Sequence, residues 1–131
     1  MASLKLRNDQ DSLVIVRTYD HTATILFFWR NEDSDRQTTV NSLKTLCRGS
    51  RLQMVDICLD SDTLDWRRTI DGDSVKWGHY KAIGGVVDKT IVDLNVKGSP
   101  YFIVADSTGT QIYRGTQFDK LRDVLNKKKI K

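Results

Sequence analysis

Proline occurs once and cysteine twice in 131 residues. So few cysteines exclude a disulfide-stapled mini-protein and a cysteine-ligated zinc site, and folding must rest on a hydrophobic core. Long apolar runs are also missing, none approaching the roughly 20 residues that cross a bilayer. Met1, Ala2 and Ser3 precede no charged-then-apolar leader, so no secretory signal is expected. Basic excess is confined to one end. The net charge of +4 equals the four lysines Lys127, Lys128, Lys129 and Lys131, without which cations and acids balance at 17 each. A neutral body with a charged end lacks the basic stripe of a nucleic-acid binder, so no nucleic-acid partner is expected.

What is present suits one domain over residues 1–131, with a core from about 13 to 125 and a solvated basic tail over 126–131. The run LVIVRTY from Leu13 to Tyr19 is β-branched and aromatic and predicts a strand. TILFFW, Thr24 to Trp29, is a continuous apolar run of strand length. That pattern belongs to a central strand covered on both faces. Ser34 followed by Gln37 has the spacing of a reciprocal capping box, and Val40, Leu43 and Leu46 or Cys47 recur at helical spacing. A helix is therefore expected from about Asp35 to Cys47, closed near Gly49.

LQMVDICL, Leu52 to Leu59, predicts the next strand, and two strands joined through a helix favour a parallel βαβ unit. LDWRRTI predicts a short helix closed by Gly72. Asp73 to Gly85 has no clear period and reads as loop. Val87, Ile91 and Leu94 suit a further helix closed by Asn95. Tyr101–Ala105 and Gln111–Arg114 flank a turn-rich cluster and predict an antiparallel hairpin. Phe118, Leu121 and Val124 or Leu125 mark a last amphipathic helix. The expected fold class is α/β, a central mixed β-sheet flanked by helices in the order β-βαβ-α-α-ββα.

Three features in that order resemble the thioredoxin-like fold: Phe28-Trp29 closing the central strand, LDSDTLDWRRTI after the next strand, and Ser99-Pro100 before the closing hairpin. More narrowly the chain is similar to the TlpA/ResA group of bacterial thiol-disulfide oxidoreductases, related to the AhpC/TSA proteins, over about Leu13 to Leu125. The resemblance implies a Cys-x-x-Cys pair at the helix start, where unpaired amides and the helix dipole stabilise a thiolate. The matching stretch, Arg30 to Arg36, has no cysteine. Cys47 and Cys58 are expected at opposite ends of the second strand of the unit, roughly 20 Å apart, beyond disulfide reach. Both read as structural.

Trp29, Asn31, Glu32, Asp33, Ser34, Asp35, Ser99 and Pro100 therefore mark the inherited active-site position and a candidate peptide groove, with no catalytic residue, metal or cofactor expected. The resemblance places Pro100 in a cis-proline loop facing the helix start, open to an extended peptide. The acids at 32, 33 and 35 are better read as helix-start complements than as cation ligands. Trp66 and Trp77 read as helix packing, Tyr101 as facing either core or groove, and His21 and His79 as loop residues without partners. Gly84-Gly85 lacks a phosphate-cradle pattern.

The expected function is a redox-inactive binding or scaffold module for an extended peptide or partner protein. The alternatives are a divergent oxidoreductase or peroxidase using one cysteine, and a structural domain of a larger envelope protein. The resemblance implies a bacterial periplasmic or envelope setting.

Overall fold

The computed structural model describes residues 3–10, 12–18, 22–30, 33–34, 36–48, 51–60, 63–71, 77–82, 89–96 and 98–127. Seven strands form one sheet: β1 (Ser3–Asn8), β2 (Leu13–Arg17), β3 (Ala23–Trp29), β4 (Leu52–Cys58), β5 (Gly78–Lys81), β6 (Tyr101–Asp106) and β7 (Gln111–Gly115). The helices are α1 (Arg36–Cys47), α2 (Thr63–Asp71), α3 (Lys89–Leu94) and α4 (Phe118–Lys127). Across the sheet the order is β2-β1-β5-β4-β3-β6-β7. The central strands β3, β4 and β5 run parallel, whereas β6 lies antiparallel to β3, and β1 antiparallel to β5. The sheet is mixed and helix-flanked.

All seven residues of β3 are buried. Its alternating side chains explain why. Ile25, Phe27 and Trp29 enter one core with Val40 and Leu43 of α1, Trp66 and Ile70 of α2, and Leu121 and Leu125 of α4. Leu26 and Phe28 enter the other with Leu4, Leu6 and Val16 of the first hairpin and Ile91 and Leu94 of α3. Each such side chain contributes roughly 1.5–3 kcal/mol by leaving water. Phe27 stacks on Phe102 of β6 with ring centroids 5.5 Å apart, and Phe118 meets Phe102 edge-on, which seats α4 against the sheet.

The observed order is β-β-β-α-β-α-β-α-β-β-α, two strands richer than the sequence reading. β1, outside the expected core of 13–125, alternates exposed and buried residues over Ser3 to Leu6, and pairs with both β2 and β5. β5 falls where Asp73 to Gly85 reads as loop. Its buried positions are His79 and Lys81, so its inward face carries no apolar signal. The capping box also takes another form: Gln37 reaches forward to Asn41 Oδ1 at 3.1 Å, while the Arg36 amide donates to the Asp33 carbonyl at 3.3 Å. Asn95 closes α3 in the left-handed region, φ 57°, a conformation its short polar side chain tolerates. Gly72, Gly84, Gly85, Val87, His21 and residues 128–131 lie outside the described residues.

Candidate functional site

The carboxyl end of β3 leads at once into the start of α1, and the loop before β6 meets the same corner. Asp33 shapes that turn. Its Oδ2 accepts from the Arg30 amide at 3.0 Å, and its own amide donates to the Arg30 carbonyl at 3.1 Å. The other oxygen, Oδ1, accepts from Ser99 Oγ at 3.1 Å. The helix-start loop is thereby joined directly to the loop that carries Pro100, whose bond to Ser99 is cis. Ser99 and Pro100 are half-buried and Ser34 is exposed, so this junction reaches the surface. Asn31, Glu32 and Asp35 lie outside the described residues.

Trp29 occupies a different level. It is fully buried and offers no surface to a groove. The Arg36 guanidinium lies over its indole, 3.7 Å from the ring centroid, a cation–π contact strengthened by the lack of water. The indole Nε1 donates to Asp56 Oδ1. Asp56 Oδ2 receives three more side chains: Arg36 at 3.3 Å, Trp77 Nε1 at 3.3 Å and His79 Nδ1 at 3.0 Å. A buried carboxylate is tolerated only when paired and hydrogen-bonded. Here groups from β3, α1, β5 and the segment before β5 converge on one acid of β4.

Sequence reasoning missed this cluster. His79, read as a loop residue without a partner, lies on β5 directly opposite Asp56 in the parallel register. Trp77, read as helix packing, serves partly as a hydrogen-bond donor to the same acid. A signal was available in LQMVDICL: one acid inside a strand buried on both faces must find partners. Tyr101 faces the core, where its hydroxyl accepts from Arg114 Nε at 3.0 Å.

The thiols are free and far from thiolate chemistry. Burial pushes Cys47 up to about 11 and Cys58 up to about 12. At Cys58 burial outweighs the Asp60 amide hydrogen bond and the Lys81 ammonium, which favour the thiolate, while the Asp60 and Asp56 carboxylates oppose it. Cys58 pairs with Trp29 at the carboxyl end of β4, the end remote from Leu52, where the chain enters after α1. β3 stands between Cys58 and the Pro100 loop, a separation of two strand spacings or roughly 10 Å.

No protein-family model matches the chain, and no curated protein matches it. Solved structures do. A thiol-disulfide oxidoreductase from Bacteroides fragilis superposes with a TM-score of 0.80 at 20% identity, covering 95% of this chain and 96% of its own. The thioredoxin domain of a thiol-disulfide oxidoreductase from Bacteroides vulgatus gives 0.78 at 15% identity, with 95% and 91% covered. A thioredoxin-like protein from Aeropyrum pernix gives 0.78 at 14%, with 95% and 89% covered. At these identities the likeness is one of architecture, and the chain has the thioredoxin-like fold.

Proposed function

We propose that the chain is a redox-inactive thioredoxin-like domain that holds an extended peptide or a partner protein at the corner formed by Asp33, Ser34, Ser99 and Pro100. The observation that carries this reading is chemical. The stretch from Arg30 to Arg36 contains no sulfur, and both remaining thiols stay protonated at neutral pH because they are buried. With the dithiol gone, what is left at the corner is a loop pair with exposed polar groups and backbone, suited to main-chain recognition. Asn31, Glu32 and Asp35 belong to the same proposed surface.

The test is insulin reduction by dithiothreitol. Turnover should stay at the reagent background and be indifferent to Cys47→Ser and Cys58→Ser; catalysis abolished by either change would favour the single-cysteine oxidoreductase instead. Binding is read separately, by titrating the labelled protein with the carboxymethylated insulin B chain. Amide shifts confined to Ser34, Ser99 and their neighbours support the groove. By the same resemblance we place the protein in the bacterial cell envelope, which fractionation of the source cells would check.

A further inference from the structure

We propose that the outer edge of β2 is a second docking site, for an extended acidic segment of a partner protein that adds to the sheet as an eighth strand. β2 ends the sheet on one side, at five strand spacings from β6, roughly 24 Å from the Pro100 corner. Natural edges are blunted by prolines, bulges or inward charges. The opposite edge shows such a device, a register shift in β7 between its pairings to Val104 and Ala105. β2 shows none. It pairs with β1 in unbroken register from Ser3↔Arg17 to Arg7↔Leu13 and contains no proline.

Its two faces describe the occupant. On one, Leu13 and Ile15 are 54% and 62% exposed, two of three exposed large hydrophobics among the described residues. They share that face with Lys5, Arg7 and Arg17, and neither strand contains an acid. On the other, Val14 and Val16 border an open cleft of about 300 Å³ that Asn8, Gln53 and Tyr80 help to line. A strand added beside β2 would complete its outward backbone hydrogen bonds and send alternate side chains to the two faces. Acidic residues would then meet the cations, and apolar ones would enter the cleft. A second copy is the poorer occupant, because two-fold pairing of β2 would gather six cations on one continuous face.

The test uses the full-length labelled protein and the probe acetyl-EVEVEVE-amide, with acetyl-KVKVKVK-amide and phosphatidylserine–phosphatidylcholine vesicles as comparisons. The Glu probe should bind saturably and protect amides of Leu13 to Arg17 from exchange, leaving Ser34 and Ser99 unchanged. Ile15→Lys should weaken binding at least about tenfold. Leu13→Lys should do the same, and repeats the test if the first variant folds poorly by circular dichroism. The pair Lys5→Glu with Arg17→Glu should transfer preference to the Lys probe. The proposal is overturned by equal binding of both probes, by no binding at about 1 mM, or by protection at Ser99 instead of β2. It is equally overturned by vesicle adsorption without peptide binding, or by a dimer in sedimentation that Ile15→Lys dissolves. None of these outcomes bears on the Pro100 corner, whose own titration is read at Ser34 and Ser99.

Discussion

Ser99 Oγ donates to Asp33 Oδ1 across 3.1 Å, tying together two loops that lie 66 residues apart in the chain. One carboxylate thus does two tasks: it closes the turn at Arg30 and fixes the distance between the helix start and the Pro100 loop. The corner is held by polar atoms rather than by apolar packing, so a competing ligand of suitable geometry can replace the link at little cost in buried area.

This link gives the first prediction. Ser99→Ala should lower stability by about 1 kcal/mol, because a partly buried acceptor loses its donor. In a double-mutant cycle with Asp33→Ala, read from urea midpoints, the coupling should be roughly 0.5–1.5 kcal/mol. A coupling of zero would mean that the two loops are positioned independently.

The second concerns the buried acid. Asp56→Ala should cost about 3–5 kcal/mol, since the Arg36 charge would be left in the core without its carboxylate. Asp56→Asn, which keeps the shape but weakens the acceptors, should fall between. Replacing both partners, Asp56→Leu with Arg36→Met, should recover most of the loss, because apolar groups of similar volume need no pairing. Urea unfolding followed by tryptophan fluorescence reads all three. Equal losses in the single and double variants would show that the ion pair is not the reason for the cost.

The same cluster marks the limit of what the residues alone disclose. β3 and its neighbours were legible because their burial is written in apolar letters: TILFFW is buried along its whole length, and the hairpin around Gly109 follows its turn residues. α3 and its closing Asn95 were legible for a similar local reason. GHYK was not, because His79 and Lys81 supply its inward side and only the neighbouring strand makes them buried. Asp56 looked like an interruption in a strand; its four donors come from 20 to 27 residues away. At the corner, the loss of the dithiol could be read directly, whereas the Asp33–Ser99 link required the topology that brings the two loops together. Trp29 had been expected at the surface of that corner, but Arg36 covers it.

The third prediction follows from the thiols. Unfolded cysteines ionise near 9.0, whereas burial holds Cys47 protonated to about 11 and Cys58 to about 12. A folded value raised above the unfolded one contributes stability in full below pH 9. As pH rises from 9 the unfolded thiols give up protons that the folded ones keep, and the contribution is lost by pH 11 at Cys47 and pH 12 at Cys58. Over those windows each thiol should add up to about 1.4 kcal/mol per pH unit to the alkaline decline. Cys58→Ala should therefore be less stable at pH 7, through lost packing, yet decline less steeply than the parent between pH 9 and pH 12. Cys47→Ala should flatten only the part below pH 11. Urea unfolding at a series of pH values measures both slopes. Alkylation at pH 7 adds an independent check: if the thiols are as protected as their burial implies, iodoacetamide should label them no faster than the chain opens. Parallel stability curves for parent and Cys58→Ala, or rapid labelling of the native protein, would place a thiolate within reach of solvent and return the oxidoreductase reading to the front.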